Sequence, residues 1–303
     1  MTASPWGSVD QRCGRVYNGV MRWLSLVSVV GVLLLLACEG ERTPAPQPMP
    51  PVTDTPAITP SEGATSTPAY SPVWSVDVVE MEDKRQVMVN DGRRRLVLAT
   101  SPIDPEETLQ RWDLRATADV DGDGQEEAIV LHYTGGAHCC FEYFVVATTP
   151  QGPVVLDSFS LGNASIEQVM DITADGRAEL LTWDDRLAYF DALPYAFSPF
   201  LPLVLCWRDG AFQDCTARFP ELLRAEANGA VDRLLSAVQE GGKDDLVKRG
   251  AALKVAALYH RMGQLREGLG KVANICPPCA EWLEENKQGL LDALSVEIPY
   301  RVR

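Results

Sequence analysis

The 303-residue chain carries 27 Lys+Arg against 42 Asp+Glu, a formal charge of −15, together with eight cysteines. That balance excludes a nucleic-acid binder, which needs a basic face, because nothing beyond the short run Arg93-Arg94-Arg95 gathers positive charge. A hydrophobic content of 46% excludes disorder of the whole chain, so the sequence reads as a folded acidic protein.

The first element is the apolar run Leu24 to Leu36, preceded by Arg22. It is too short to span a bilayer and has the length of a signal-peptide core. It closes on Leu35-Leu36-Ala37-Cys38, which resembles a bacterial lipobox. The resemblance implies that residues 1–37 are a removed signal peptide, with Met21 a better start than Met1, and that Cys38 is acylated as the new N-terminus. The expected address is outside the cytoplasm, lipid-anchored to the bacterial cell membrane or outer membrane. Glu39 at the second mature position leans towards the outer membrane. Removing residues 1–37 leaves 24 Lys+Arg against 41 Asp+Glu, a charge of −17. Residues 38–73 follow as a tether: from Glu39 to Pro72, nine of 34 residues are Pro and six are Thr, a composition for extended, solvated chain.

Residues 74–220 read as β structure. Val76-Asp77-Val78 alternates; Gln86 to Val89 and Arg95 to Ala99 flank the turn Asn90-Asp91-Gly92; Phe141 to Ala147 and Val154 to Phe159 flank Pro150-Gln151-Gly152. From residue 221 to 303 the pattern becomes helical, with apolar residues at Leu222, Leu223, Val231, Leu234, Leu235 and Val238 and again from Leu246 to Tyr259. Gly241-Gly242 and Gly263 punctuate these helices, and Pro277-Pro278 opens a last one running from Glu281 to about Leu294. The expected class is α+β: an antiparallel β domain followed by a small α-helical region.

The loop Asp119-Val120-Asp121-Gly122-Asp123-Gly124-Gln125-Glu126-Glu127 places acids at relative positions 1, 3, 5 and 9. Calcium takes six to eight oxygens from a flexible loop, and Asp119, Asp121, Asp123, the carbonyl of Gln125 and Glu127 could supply them. Position 12 is Val130, and the chain runs straight into the apolar Ala128-Ile129-Val130-Leu131, so a strand follows instead of an EF-hand helix. In that context the stretch from Ala116 to Tyr133 resembles the integrin-type FG-GAP (VCBS-like) repeat. The resemblance implies β-propeller-like blades whose calcium loop joins two strands. A second frame starts 52 residues on, with three of the four acids, Asp171, Asp175 and Glu179, in place and Thr173 at position 3. Residues 112–294 further resemble uncharacterised exported bacterial proteins with such repeats. At one blade per 52 residues the β region holds fewer than three, so an incomplete propeller of two to three sheets is expected.

Six cysteines remain after Cys13 and Cys38 are set aside, an even count that favours disulfides in an exported protein. Locality suggests Cys206-Cys215 and Cys276-Cys279, leaving Cys139-Cys140 as a vicinal pair or as two residues with distant partners. The CPPC sequence admits thiol–disulfide chemistry as well as a structural staple. His132, His138, Cys139 and Cys140 match no zinc spacing, and His260 reads as a polar-face residue. No nucleophile elbow or phosphate-binding glycine loop is present. The function expected is therefore a membrane-anchored, calcium-binding, non-enzymatic module with an unidentified protein or glycan partner. The rivals are an envelope thiol–disulfide oxidoreductase and a hydrolase using the cation as Lewis acid.

Overall fold

The computed structural model describes residues 70–103, 110–136, 139–240 and 245–302. The signal segment with Cys38, the tether up to residue 69, Gly241-Gly242 and His138 lie outside the described residues.

Among the described residues twelve strands form three antiparallel sheets. The first contains β1 (Ser75–Glu80), β2 (Lys84–Asn90) and β3 (Arg95–Pro102) in chain order. The second contains β4 (Arg111–Ala118), β5 (Glu127–Tyr133), β6 (Phe141–Ala147) and β7 (Val154–Ser160), with β12 (Tyr300–Arg301) added outside β7. The third contains β8 (Gln168–Met170), β9 (Glu179–Asp184), β10 (Leu201–Arg208) and β11 (Ala211–Asp214). The second and third sheets thus share one plan, a four-strand meander with an aspartate loop between its first two strands.

The burial of β5 shows how the layers stack. Ala128 and Val130 join Trp74 and Val89 in the core between the first two sheets, while Ile129 and Leu131 join Leu180, Leu203 and Leu205 in the core between the second and third. A strand covered on both faces needs a continuous apolar run, which is what Ala128 to Leu131 provides. The same holds for β10: Leu203 and Leu205 face the second sheet, whereas Val204 and Cys206 pack with Cys215, Ile172 and Phe219. Polar contacts stitch the layers at their rims. Trp74 Nε1 donates to the carbonyl of Glu126 at 2.8 Å, and Thr148 Oγ1 donates to the buried Asp91 at 2.6 Å.

Five helices of the described residues cover the far side: α1 (Pro220–Gln239), α2 (Asp245–Arg261), α3 (Leu265–Ile275), α4 (Pro277–Glu285) and α5 (Lys287–Ser295). Pro220 and Pro277 open α1 and α4 at the turn where a missing N–H costs nothing. Leu223, Ala227, Ala230 and Leu234 form the buried stripe of α1, while Leu222 and Leu235 stay exposed. Helix α2 buries every residue from Ala252 to Tyr259 except the half-buried Lys254 and is the centre of the helical layer.

Two local expectations change. The stretch after Pro277-Pro278 is two helices, broken at Asn286, whose side-chain amide donates to the carbonyl of Trp282 at 3.0 Å. The helical pattern also stops before residue 300, because Tyr300 and Arg301 pair with Ser160 and Phe159 as β12. Among the described residues no helix is long and apolar enough to cross a membrane.

A charged cluster fastens the helices to the third sheet. Arg186 binds the fully buried Asp184 at 2.6 Å and donates from Nη1 to the carbonyls of Leu294 and Val296 at 2.7 and 2.6 Å, closing the C-terminal end of α5. Arg261 from α2 reaches Asp214 at 2.6 Å.

Candidate metal centre

The loop between β4 and β5 is wound around the side chain of Asp119. Its Oδ1 accepts from Gly122 N at 2.7 Å and its Oδ2 from Gly124 N at 2.8 Å. Such tight Asx turns place Gly122 at φ +87° and Gly124 at φ +85°, the left-handed region that glycine enters at little cost. At the far end Glu127, 1% exposed, accepts from Val120 N at 2.9 Å, so the first residue of β5 folds back on the start of the loop.

One oxygen each from Asp119, Asp121 and Glu127 lies within 4.8 Å of the other two, and this triad could hold a metal ion. Asp123 and Gln125 are placed differently. The Asp123 carboxylate accepts from Gln125 N at 2.7 Å and from Gln125 Nε2 at 3.3 Å, so the two residues bind each other at the loop's outer edge.

Burial is the main reason that the Glu127 carboxyl is pushed up to about 7, and the charges of Asp121, Asp123 and Asp119 add to it. Asp121 is also raised, again first by burial and then by its acidic neighbours, with Arg177 pulling the other way. The charged forms of Asp121 and Glu127 are thus disfavoured until a cation or protons arrive.

The loop between β8 and β9 has the same frame without the acid at position 3. Glu179, 2% exposed, accepts from Ile172 N at 2.8 Å, Asp171 Oδ2 accepts from Gly176 N at 2.9 Å, and Asp175 Oδ1 accepts from Arg177 N at 3.1 Å. These bonds repeat those of Glu127, Asp119 and Asp123. At the third position Thr173 donates its hydroxyl to Glu179 at 3.3 Å, so this glutamate has two donors where Glu127 has one. Ala174 occupies the position of Gly122 at φ +55°.

Sequence reasoning missed how the two loops meet. The backbone N–H of Ala178 donates to the carbonyl of Asp119 at 2.8 Å. The side chain of Arg177 lies across Gly122 so closely that a Cβ there would fall 2.5 Å from its Nε. The signal was available only as a difference: Arg177 stands where the first loop has Gln125.

All three local cysteine pairs are at disulfide distance. The Cα atoms are 5.8 Å apart for Cys206-Cys215, 5.2 Å for Cys276-Cys279 and 3.1 Å for Cys139-Cys140. Cys206 and Cys215 join β10 to the residue after β11, and Cys276 and Cys279 sit in the helical core where α3 turns into α4. His132 bonds Glu142 across the strand pair at 2.9 Å and stacks on Trp112 with ring centroids 4.0 Å apart, a cross-strand contact away from the aspartate loops.

The chain matches no family model, no curated protein and no solved structure.

Proposed function

We propose that this chain is an exported, lipid-anchored, non-enzymatic module whose β4–β5 loop binds one calcium ion and which serves interaction or envelope structure. The observation that carries the reading is the triad of Asp119, Asp121 and the buried Glu127. Calcium–oxygen bonds of about 2.3–2.6 Å place two oxygens of one shell at most about 5 Å apart, which fits the 4.8 Å span of the triad. The donors are hard carboxylate oxygens on a loop of turns, a set suited to calcium. Bound there, calcium would supply the positive charge that the three carboxylates lack, and Asp119 and Glu127 would then hold both ends of the loop to the start of β5.

The shared plan of β4–β7 and β8–β11 supports reading these sheets as FG-GAP-like blades of an incomplete propeller. The address rests on the sequence from Leu24 to Cys38 and on the Pro/Thr tether. In this reading the second loop, with Thr173 bonded to Glu179, is a cation-free copy. Thermal unfolding with calcium and with EDTA tests the proposal; equal melting temperatures would sink it.

One observation favours the oxidoreductase reading. Cys276 and Cys279 line a cavity of about 240 Å³ together with Lys248 and Arg249, cations of the kind that stabilise a thiolate. The two cysteines are nevertheless only 5% and 4% exposed and packed in the helical core, which supports a staple. A redox titration separates the two: a reduction potential below about −300 mV marks a staple, and a readily reduced pair marks an enzyme.

A further inference from the structure

A second open cavity, of about 350 Å³, lies where the start of β6, the β7–β8 connection and β9 meet helix α2. Phe141, Trp183 and Phe200 supply its aromatic lining, and Asn163, Ser165, Glu167 and Lys254 supply the polar groups. Its size is that of a small-molecule site.

The polar side is built, beginning at Gly162. That residue has φ +56°, and a Cβ on it would fall 2.2 Å from Asp185 Oδ2, so only glycine lets the carboxylate approach. Asp185, 7% exposed, accepts from Asn163 N at 2.8 Å and from Asn163 Nδ2 at 2.7 Å on that oxygen, and from the Tyr300 hydroxyl at 2.9 Å on the other. One of the two N–H donors of the Asn163 amide is therefore committed, and its Oδ1 is left as an acceptor with no partner among the described residues. Neither the Ser165 hydroxyl nor the Glu167 carboxylate has a partner among them. Lys254 is held 2.6 Å from Glu226 and stands 5.4 Å from the ring centroid of Trp183. One of its three N–H donors serves Glu226, and its charge is largely neutralised there.

These groups exclude several ligand classes. A purely apolar guest would bury Asn163 Oδ1 and the Glu167 carboxylate without partners, which is costly. A phosphate or nucleotide would meet the Glu167 carboxylate and find no free cation. What remains is a ligand with one apolar face for the aromatic lining and a rim of hydroxyls for acceptors and donors together. A sugar ring has that form: its C–H face is suited to the electron-rich face of an aromatic ring, and its hydroxyls both donate and accept. We propose that this cavity binds a single saccharide ring, with Asn163 and Glu167 accepting from its hydroxyls and Trp183 packing against its C–H face.

The test uses the full chain and a panel of glucose, galactose, mannose and N-acetylglucosamine, followed by titration calorimetry and tryptophan fluorescence. At least one sugar should bind with millimolar affinity and perturb the emission. Asn163→Ala and Glu167→Ala should each weaken binding about tenfold, the loss expected for one hydrogen bond to a charged or well-oriented group. Trp183→Ala should abolish it. Because Trp183 also touches the core, the exposed Glu167→Ala keeps the proposal falsifiable if the tryptophan variant does not fold. Asp121→Ala, which is not among the lining residues, should leave sugar binding intact. The proposal is overturned if no sugar in the panel gives heat or a fluorescence change. It is equally overturned if Asn163→Ala and Glu167→Ala proteins that unfold as cooperatively as the parent bind sugar with unchanged affinity.

Discussion

The sharpest consequence of the aspartate triad is that its effect on stability should depend on calcium and on pH together. In the cation-free fold the Glu127 carboxyl titrates near 7 instead of its usual 4.5, because it is buried among other acids. A carboxyl whose folded pKa is raised contributes stability that is complete below about 4.5 and is lost as the pH rises through about 7. For this shift the loss is of order 3 kcal/mol. Calcium bound at the triad, as proposed, would offset it by neutralising the same charge. With a dissociation constant of about 0.1–1 mM, typical of extracellular sites, about 10 mM calcium should add about 1.4–2.7 kcal/mol at pH 8. In a domain of this size that raises the melting temperature by about 3–10 °C. Differential scanning fluorimetry at pH 5.5 and 8, with calcium or EDTA, reads the whole matrix. The calcium shift should be larger at pH 8. Asp121→Asn should abolish it while leaving the cation-free protein no less stable than the parent, since one repelling charge is gone. A calcium shift that is independent of pH, or that survives Asp121→Asn, refutes the reasoning.

Arg177→Ala removes a positive charge from beside Asp121, so calcium should bind a few-fold more tightly by calorimetry while the cation-free protein melts lower. Arg186→Leu leaves the buried Asp184 with Arg261, at 3.5 Å, as its nearest cation beside the backbone N–H of residue 186, and frees the carbonyls at the end of α5. Chemical denaturation should show a loss of about 3 kcal/mol. Ala174→Gly relieves a non-glycine residue at φ +55°, and the same measurement should show a gain of about 1 kcal/mol.

The sequence made local features readable because their causes are local. Turns at Asn90-Asp91-Gly92 and Pro150-Gln151-Gly152 separate the strands as expected, and nearby cysteines pair with one another. The acid spacing from Asp119 to Glu127 pointed to a metal loop, and three of its residues do converge. What it could not reveal was direction. Whether an aspartate faces the centre or its neighbour's N–H depends on the turn, and Asp123 takes Gln125 where ligand spacing suggested a fourth acid. Long-range contacts were equally hidden. Nothing near residue 300 marks Tyr300 and Arg301 as a strand, because their partners, Ser160 and Phe159, lie about 140 residues earlier. The cavity around Trp183 draws on five separate stretches of chain and has no motif at all.

That late strand sets an order of events during synthesis. β7 has β6 on one side, but its other edge is completed only by Tyr300 and Arg301, with Arg301 also binding Asp157 at 2.9 Å and the carbonyl of Phe212 at 2.6 Å. A ribosome that has finished every other strand of the middle sheet still holds an open edge at its exit, and the edge stays exposed while the helices are made. Residues made after all five described helices are therefore the ones that complete the sheet. A chain stopped at residue 298 would keep nearly all of its apolar core and still present an unpaired β7 edge to its neighbours.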